Sequence, residues 1–221
     1  MKPLATDQPV REIRIASRSV TGTVPSLGAY ESTLERDFME ILRFDPNIDR
    51  FVPQPLTINF VDRAGCMRSY TPDGLIHFKQ SSASRAVPVL FEVKYRTDFR
   101  KDWKALIQKF RAAKEYCIDK GWRFEVFTER EIRTPYLNNV KFLWPYLDRR
   151  PVPETAVEVL RILADLGEAD PDLLLCAICH DLDNRARLIP VLWHLVATGS
   201  IGCDLNIPLN MRSRIWALQD D

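Results

Sequence analysis

Asp73, Glu92 and Lys94 are the residues of this chain whose types and spacing can do chemistry. Asp73 follows Pro72 at the head of the apolar run GLIHF, and Glu92 and Lys94 close the run VLFEVK. Residues two apart in an extended strand share a face, so Glu92 and Lys94 project together. The loop SSASR between the two runs allows them to be neighbouring strands, which brings Asp73 towards Glu92. Two carboxylates beside a lysine suit a hard divalent cation such as Mg²⁺, which takes oxygen ligands and keeps several waters. Such an ion lowers the pKa of a bound water and neutralises charge on a phosphate under attack. Lys94 can orient that water or stabilise the developing negative charge. The blander reading makes Asp73 a turn former and Glu92–Lys94 a surface pair of little energetic worth. Against it, Glu92 stands between Phe91 and Val93 in an apolar strand, where charges are rarely buried unless paired or bound to a metal.

The elements that must hold these residues are legible around them. ESTLERDFMEILRFD has Leu34, Phe38, Ile41 and Leu42 at helical spacing, with Ser32 or Thr33 as its N-cap. RFVPQPLTINFVD, SYTPDGLIHFK and AVPVLFEVKY read as three strands. DWKALIQKFRAAKEYCIDKG is a helix that puts Trp103, Leu106, Ile107, Phe110, Ala113 and Cys117 on one face and stops at Gly121. WRFEVFTE is a fourth strand, and REIRTPYLNNVKFLWPYL a helical or irregular segment broken at Pro135. The order helix, three strands, helix, strand predicts an α/β layer with a mixed sheet. Residues 1–28 read as an extended arm, and DRRPVP, residues 148–153, as a linker. The expected domains are therefore 29–150 and 151–221. Helical patterns at 154–166, 171–182 and 184–198, then two short strands around a turn at Asn206–Asn210, suit a winged-helix-like α+β module.

Composition narrows the rest. In 221 residues, 46% hydrophobic and 28% charged, the formal net charge is only +1, so a nucleic-acid partner must meet a local patch. Between Lys94 and Arg123 there are ten Lys or Arg and four Asp or Glu, and Arg96, Arg100, Lys101 and Lys104 follow the candidate site directly. These four are candidates for phosphate contacts, although any one of them is as readily a solvated helix residue. No charge-free apolar run of about 18 residues predicts a membrane span. With no secretion-type apolar segment at the start, the expectation is a cytoplasmic protein whose five cysteines are reduced. CAICH, residues 176–180, matches a haem-attachment spacing and with His194 or Cys203 suggests zinc, but its apolar helical setting favours a core role. His77, between Ile76 and Phe78, reads as a strand-face residue.

Pro72-Asp73 and Glu92-Val93-Lys94 together resemble the PD-(D/E)xK nuclease signature, whose fold has the α-β-β-β-α-β order read above. The resemblance implies one further acid on the preceding helix, which falls on Glu35, because Glu31 lies at the helix start and Glu40 is displaced around it. Through YESTLERDFMEILRFD, FVPQPLTINF, YTPDGLIHF, FEVKYR and FEVFTEREIR the chain resembles the TnsA family, the endonuclease subunits of heteromeric bacterial DNA transposases. That resemblance implies metal ligands at Glu35, Asp73 and Glu92, the catalytic lysine at Lys94, and a Mg²⁺ cofactor for which Mn²⁺ can substitute. It also implies three partners: transposon-end DNA, a DDE-type transposase that cuts and joins the 3′ ends, and an AAA+ ATPase regulator. Two alternatives stay open at this point: a stand-alone restriction or repair nuclease of the same fold, and a non-catalytic DNA-binding assembly subunit.

Overall fold

The computed structural model describes residues 22–24, 28–30, 32–80 and 86–218. Most of the expected N-terminal arm lies outside these residues, but its end pairs as an antiparallel ribbon, β1 (Gly22–Val24) with β2 (Gly28–Tyr30), and Val24 is buried. Helix α1 (Thr33–Phe44) starts at an N-cap Ser32 whose hydroxyl accepts the Glu35 N–H at 3.1 Å. Its apolar face buries Leu34, Phe38, Met39 and Leu42.

The central sheet is built from β3 (Ile48–Pro53), β6 (Gly74–Phe78), β7 (Val89–Val93) and β8 (Arg123–Phe127), in the order β3-β6-β7-β8. The first two junctions are antiparallel and the β7–β8 junction is parallel, made possible by the crossover helix α2 (Arg96–Lys120). All five residues of β7 are buried, because helices cover both faces of this strand. Phe91 faces α1, with its ring 5.0 Å from that of Phe38, and Phe38 also stacks 4.4 Å from Phe127. Leu90 faces the other side, in a cluster with Val52, Leu75, Ala113 and Cys117.

The sequence pattern joined what the chain separates. The two long strands expected over 50–62 and 69–79 each break once. Pro53 and Pro55 flank Gln54, which has φ +43°, and the strand resumes only at β4 (Ile58–Val61). Likewise β5 (Met67–Tyr70) ends before Pro72. Proline cannot donate to a ladder, so β4 and β5 leave the main sheet and pair with one another, Ile58 opposite Tyr70. Helix α2 begins earlier than its apolar repeat, at Arg96, with a kink at Asp102, and Trp103 is exposed instead of facing the core. Gly121 closes it in the left-handed region, φ +68°, as its position predicts.

The chain divides into two compact units, Met1–Arg133 and Thr134–Asp221, which differs from the boundary expected at 150/151. After the short α3 (Glu129–Ile132), α4 (Pro135–Leu147) belongs to the second unit. Buried Asn139 explains why: its Nδ2 donates to the carbonyls of Leu205 and Ile207 at 2.8 and 2.6 Å, and its Oδ1 accepts the Leu209 N–H at 3.0 Å. Phe142 packs edge-on against Trp193, and the His194 ring nitrogen Nδ1 bonds the Tyr146 carbonyl. The unit continues with α5 (Pro153–Leu166), β9 (Glu168–Ala169), α6 (Pro171–Ile178), α7 (Leu182–Ala197), β10 (Ile201–Cys203) and β11 (Ile215–Ala217). The expected terminal strand pair gains β9 as a third strand, in the order β10-β11-β9. Two residues are too short a run to show in a sequence pattern. Cys176 and Cys179 lie half-buried at the end of α6. No helix among the described residues is long and apolar enough to cross a membrane.

Two measurements check this architecture. Gly74 pairs with Phe91 at the start of β6, and a Cβ there would stand 2.5 Å from Phe91 Cζ and 2.7 Å from Phe51 Cε2. Gly74→Ala is expected to destabilise the chain by about 1–3 kcal/mol through overpacking, read as a lowered chemical-denaturation midpoint. A fragment comprising 134–221 is expected to unfold cooperatively on heating, whereas one starting at 151 should not, because it lacks the three bonds of Asn139.

Candidate active site

The candidate residues gather where β6 begins and β7 ends. Asp73 precedes the first residue of β6, and its backbone N–H donates to the Phe91 carbonyl at 3.1 Å. Its side chain extends the ladder: Oδ2 accepts the Val93 N–H at 2.7 Å. Proline before it favours an extended backbone at Thr71 and removes a competing donor, so the aspartate substitutes for the strand that β5 failed to continue. One residue after Val93, just past the end of β7, Lys94 donates its N–H to the Phe127 carbonyl at 2.9 Å, fixing the end of β7 against β8.

Glu92 is 5% exposed and its two oxygens have different partners. Oε2 accepts the Tyr70 hydroxyl at 2.8 Å, and Oε1 stands 3.6 Å from Lys94 Nζ. Glu92 and Lys94 therefore do share a face, as the alternation predicted, and the surface-pair reading fails on burial. Glu35 sits in the first turn of α1, where Ser32 Oγ donates to its Oε1 at 2.9 Å. It lines a small cavity together with Asp73 and Gln54.

A cluster around Arg133 sets the position of α1 relative to this point. The guanidinium Nε donates to Asp37 Oδ2 at 3.0 Å, and Nη2 reaches both Thr33 Oγ1 and Tyr95 Oη at 3.1 Å. The first turn of α1, which carries Glu35, is thereby tied to the residue that follows Lys94.

Electrostatics distinguish the site from the rest of the unit. Burial, followed by the charges of Glu92 and Glu35, pushes the Asp73 carboxyl well above the usual carboxylate range, against the Val93 N–H and Lys94. Glu92 is also raised, by burial, although Lys94 and Tyr70 oppose the shift. Burial pulls the other way on Lys94, but Glu92, Asp73 and Glu35 outweigh it and keep the ammonium charged above its ordinary range. Burial and then Glu92 raise the Tyr70 phenol, so it stays a donor. Two acids crowded so that neither ionises easily are a pair short of positive charge.

A hard divalent cation fits that deficit. The donor set is all oxygen, as Mg²⁺ requires, and Mg²⁺ uses one or two carboxylates with waters completing its shell. Among the described residues no three His, Cys, Asp or Glu side chains converge at metal-ligand spacing. Glu35 is hydrogen-bonded to Ser32, and at Asp73 its charge acts after that of Glu92. Arg96, Arg100, Lys101 and Lys104 are exposed on the first turns of α2, close in sequence to Lys94, with the Arg96 N–H held by Glu129 Oε2. His77 bonds Arg50 across the β3–β6 junction, apart from the acids in the ladder. The sequence reading missed Tyr70, which comes from the separate β4–β5 sheet, and Gln54. A tyrosine three residues before the acid and a glutamine between two prolines were their only signals.

A mixed four-stranded sheet with an aspartate heading one strand and Glu-x-Lys closing its neighbour defines a nuclease of the PD-(D/E)xK type. Residues 45–129 match the family model of the TnsA-like endonuclease N-terminal domain, and residues 131–205 that of the TnsA endonuclease C-terminal domain. The chain belongs to the TnsA family, and the two matches meet close to the division between its compact units. No individual curated protein matches it.

The raised acids generate a pH dependence with a definite sign. A carboxyl group with a folded pKa above its unfolded value binds more protons in the folded state. Its contribution to stability is therefore fully present below the unfolded value and is lost as pH rises through the folded one. Asp73→Asn keeps an acceptor for the Val93 N–H and removes the charge. In chelator-treated protein it is expected to raise Tm at pH 7.5, because the charge that the fold resists is removed. The difference should shrink towards zero as pH falls below about 4, the ordinary aspartate range. A variant less stable than the wild type at pH 7.5 would contradict the crowding of like charges.

Proposed function

We propose that this chain is the DNA endonuclease subunit of a heteromeric transposase and cuts the 5′ ends, the non-transferred strand, of a transposable element in a Mg²⁺-dependent reaction. The observation that carries this reading is the meeting of Asp73, Glu92 and Lys94 at one end of β6 and β7, in a chain that matches both TnsA domain models. The match to the C-terminal model favours a transposase subunit over a stand-alone nuclease. The raised acids and the charged lysine favour an active site over a vestigial one.

In this reading Glu35, Asp73 and Glu92 hold the cation, and Mn²⁺ can replace Mg²⁺. The bound ion supplies a water of lowered pKa and a positive charge beside the scissile phosphate. The protein's own groups do the rest. Tyr70 holds Glu92 Oε2 and leaves Oε1 to face Lys94. Lys94, kept protonated by its acidic neighbours, places a fixed positive charge where negative charge develops on the phosphate. Arg96, Arg100, Lys101 and Lys104 on α2 would anchor the DNA backbone without reading sequence. In the second unit, the order helix, strand, two helices and two strands supports the winged-helix reading, and with it a role in DNA or partner binding. The partners would be a DDE-type transposase, which cuts and joins the 3′ ends, and an AAA+ regulator, in a bacterial cytoplasm.

Asp73→Ala is the test. In a transposition reaction with purified partners, it is expected to abolish 5′-strand cutting while 3′-strand joining continues. The product then changes from an excised element to a branched joint still attached to donor DNA, resolved by size on a denaturing gel. Unchanged 5′ cleavage by this variant would place the chemistry elsewhere.

A further inference from the structure

Gln54 is buried, 7% exposed, and among the described residues its Oε1 is a buried oxygen without a hydrogen-bond partner. An unmade hydrogen bond in the interior is costly, and native structures rarely tolerate one without a reason. The backbone compounds the oddity: Gln54 is the only non-glycine among the described residues with positive φ, +43°. Residues held in that region cluster at functional sites, where surrounding structure enforces them. The enforcement is visible. Pro53 and Pro55 restrict the chain on either side, and the Gln54 N–H donates to the Asp73 carbonyl at 3.0 Å. An ordinary glutamine would relax outwards to water; this one is held in.

What it is held against is the acidic site. Gln54 lines, with Glu35 and Asp73, a cavity of about 20 Å³, otherwise walled by Phe38, Met39, Phe51, Pro53, Phe91 and Val93. That space takes about one water-sized particle. The cavity is thus lined by two carboxylate residues and by the residue that carries the unpartnered oxygen, within a largely apolar wall. All three groups offer oxygen lone pairs, so a neutral hydrogen-bond acceptor would add nothing. A positively charged oxygen-seeking particle, or water polarised by one, satisfies all three together.

Building on the nuclease reading above, we propose that Gln54 is a further ligand of the metal centre, its carboxamide oxygen completing the coordination sphere of the divalent cation on the side of Glu35 and Asp73. A neutral amide oxygen is an ordinary ligand for hard cations and adds no charge to a site already crowded with acids. The strained backbone and the unsatisfied oxygen are then properties of a site organised for its ion, not packing defects.

Metal binding, not cleavage, is the readout. Mn²⁺ is titrated into chelator-stripped wild type, Gln54→Leu, Gln54→Glu and Asp73→Ala, with free Mn²⁺ followed by electron paramagnetic resonance and thermal stability measured alongside. Gln54→Leu retains the volume and deletes the unsatisfied oxygen, so its metal-free Tm should equal or exceed that of the wild type. Its Kd for Mn²⁺ should rise by about 10-fold or more, since 10–100-fold is the loss for groups that merely support a metal's ligands. Gln54→Glu, which keeps the oxygen and adds charge, should bind at least as tightly as wild type. A Kd in Gln54→Leu within about twofold of wild type overturns the proposal, as does a lowered metal-free Tm with an unchanged Kd, the signature of a merely structural side chain. If Gln54→Leu fails to fold, Gln54→Met, unbranched and without the amide, is read by the same titration and the same criterion. The Asp73→Ala arm separates the two levels. Loss of Mn²⁺ binding there with no effect at Gln54 sinks only this inference, whereas unaltered binding in Asp73→Ala sinks the metal-nuclease reading on which it rests.

Discussion

The hydrogen bond from the Val93 N–H to Asp73 Oδ2, 2.7 Å long, fixes the site. It lets a side chain continue a ladder that the backbone has left, and with the Asp73 N–H on the Phe91 carbonyl it clamps the head of β6 to the end of β7. The register Gly74↔Phe91 follows, and with it the meeting of Asp73 with the Glu92–Lys94 face. A shift of one residue in this pairing would send Glu92 and Lys94 to the α1 side and Phe91 into the acids. Gly74 permits the pairing because the rings of Phe51 and Phe91 occupy the space a Cβ would need.

Concentrating acids at that point works against stability. Burial and the charges of Glu92 and Glu35 raise the protonation of Asp73, burial raises that of Glu92, and Lys94 opposes both only in part. The surrounding structure tolerates this because its own interactions are independent of the site. Phe38, Phe91 and Phe127 pack α1 onto the sheet, and Leu90 with Ala113 and Cys117 packs α2 on the other face. Arg133, bonded to Asp37, Thr33 and Tyr95, adds a polar tie between α1 and the end of β7. A rigid frame of this kind holds in place a set of charges that would otherwise separate, which is the usual relation between a functional site and the fold that carries it.

The C-terminal unit is organised by a different device. Asn139 uses its amide to satisfy three backbone groups of the loop between β10 and β11, so that an irregular connection is pinned to α4 by one buried side chain. That interaction moves the boundary of the unit ahead of the proline-rich segment 148–153, which looked like the natural break.

The amino-acid sequence by itself determined the order of the main elements, the stop at Gly121, an N-cap at Ser32 or Thr33, and the candidate acids and lysine of the site. Those depend on local rules: alternation along a strand, helical spacing, the conformational limits of proline and glycine, and the short signature around Pro72-Asp73 and Glu92-Val93-Lys94. Only the tertiary structure decided that β4 and β5 leave the central sheet and that Trp103 faces outwards. It also decided that α4 joins the second unit, and that Tyr70 and Gln54 stand beside residues distant from them in the chain. Each of these turns on which surfaces meet across the fold, and periodicity within one segment carries no information about its partner. The asymmetry at the site has the same origin. A carboxylate announces itself by type, but whether a glutamine lies in solvent or is held with an unpaired oxygen among acids is settled by packing alone.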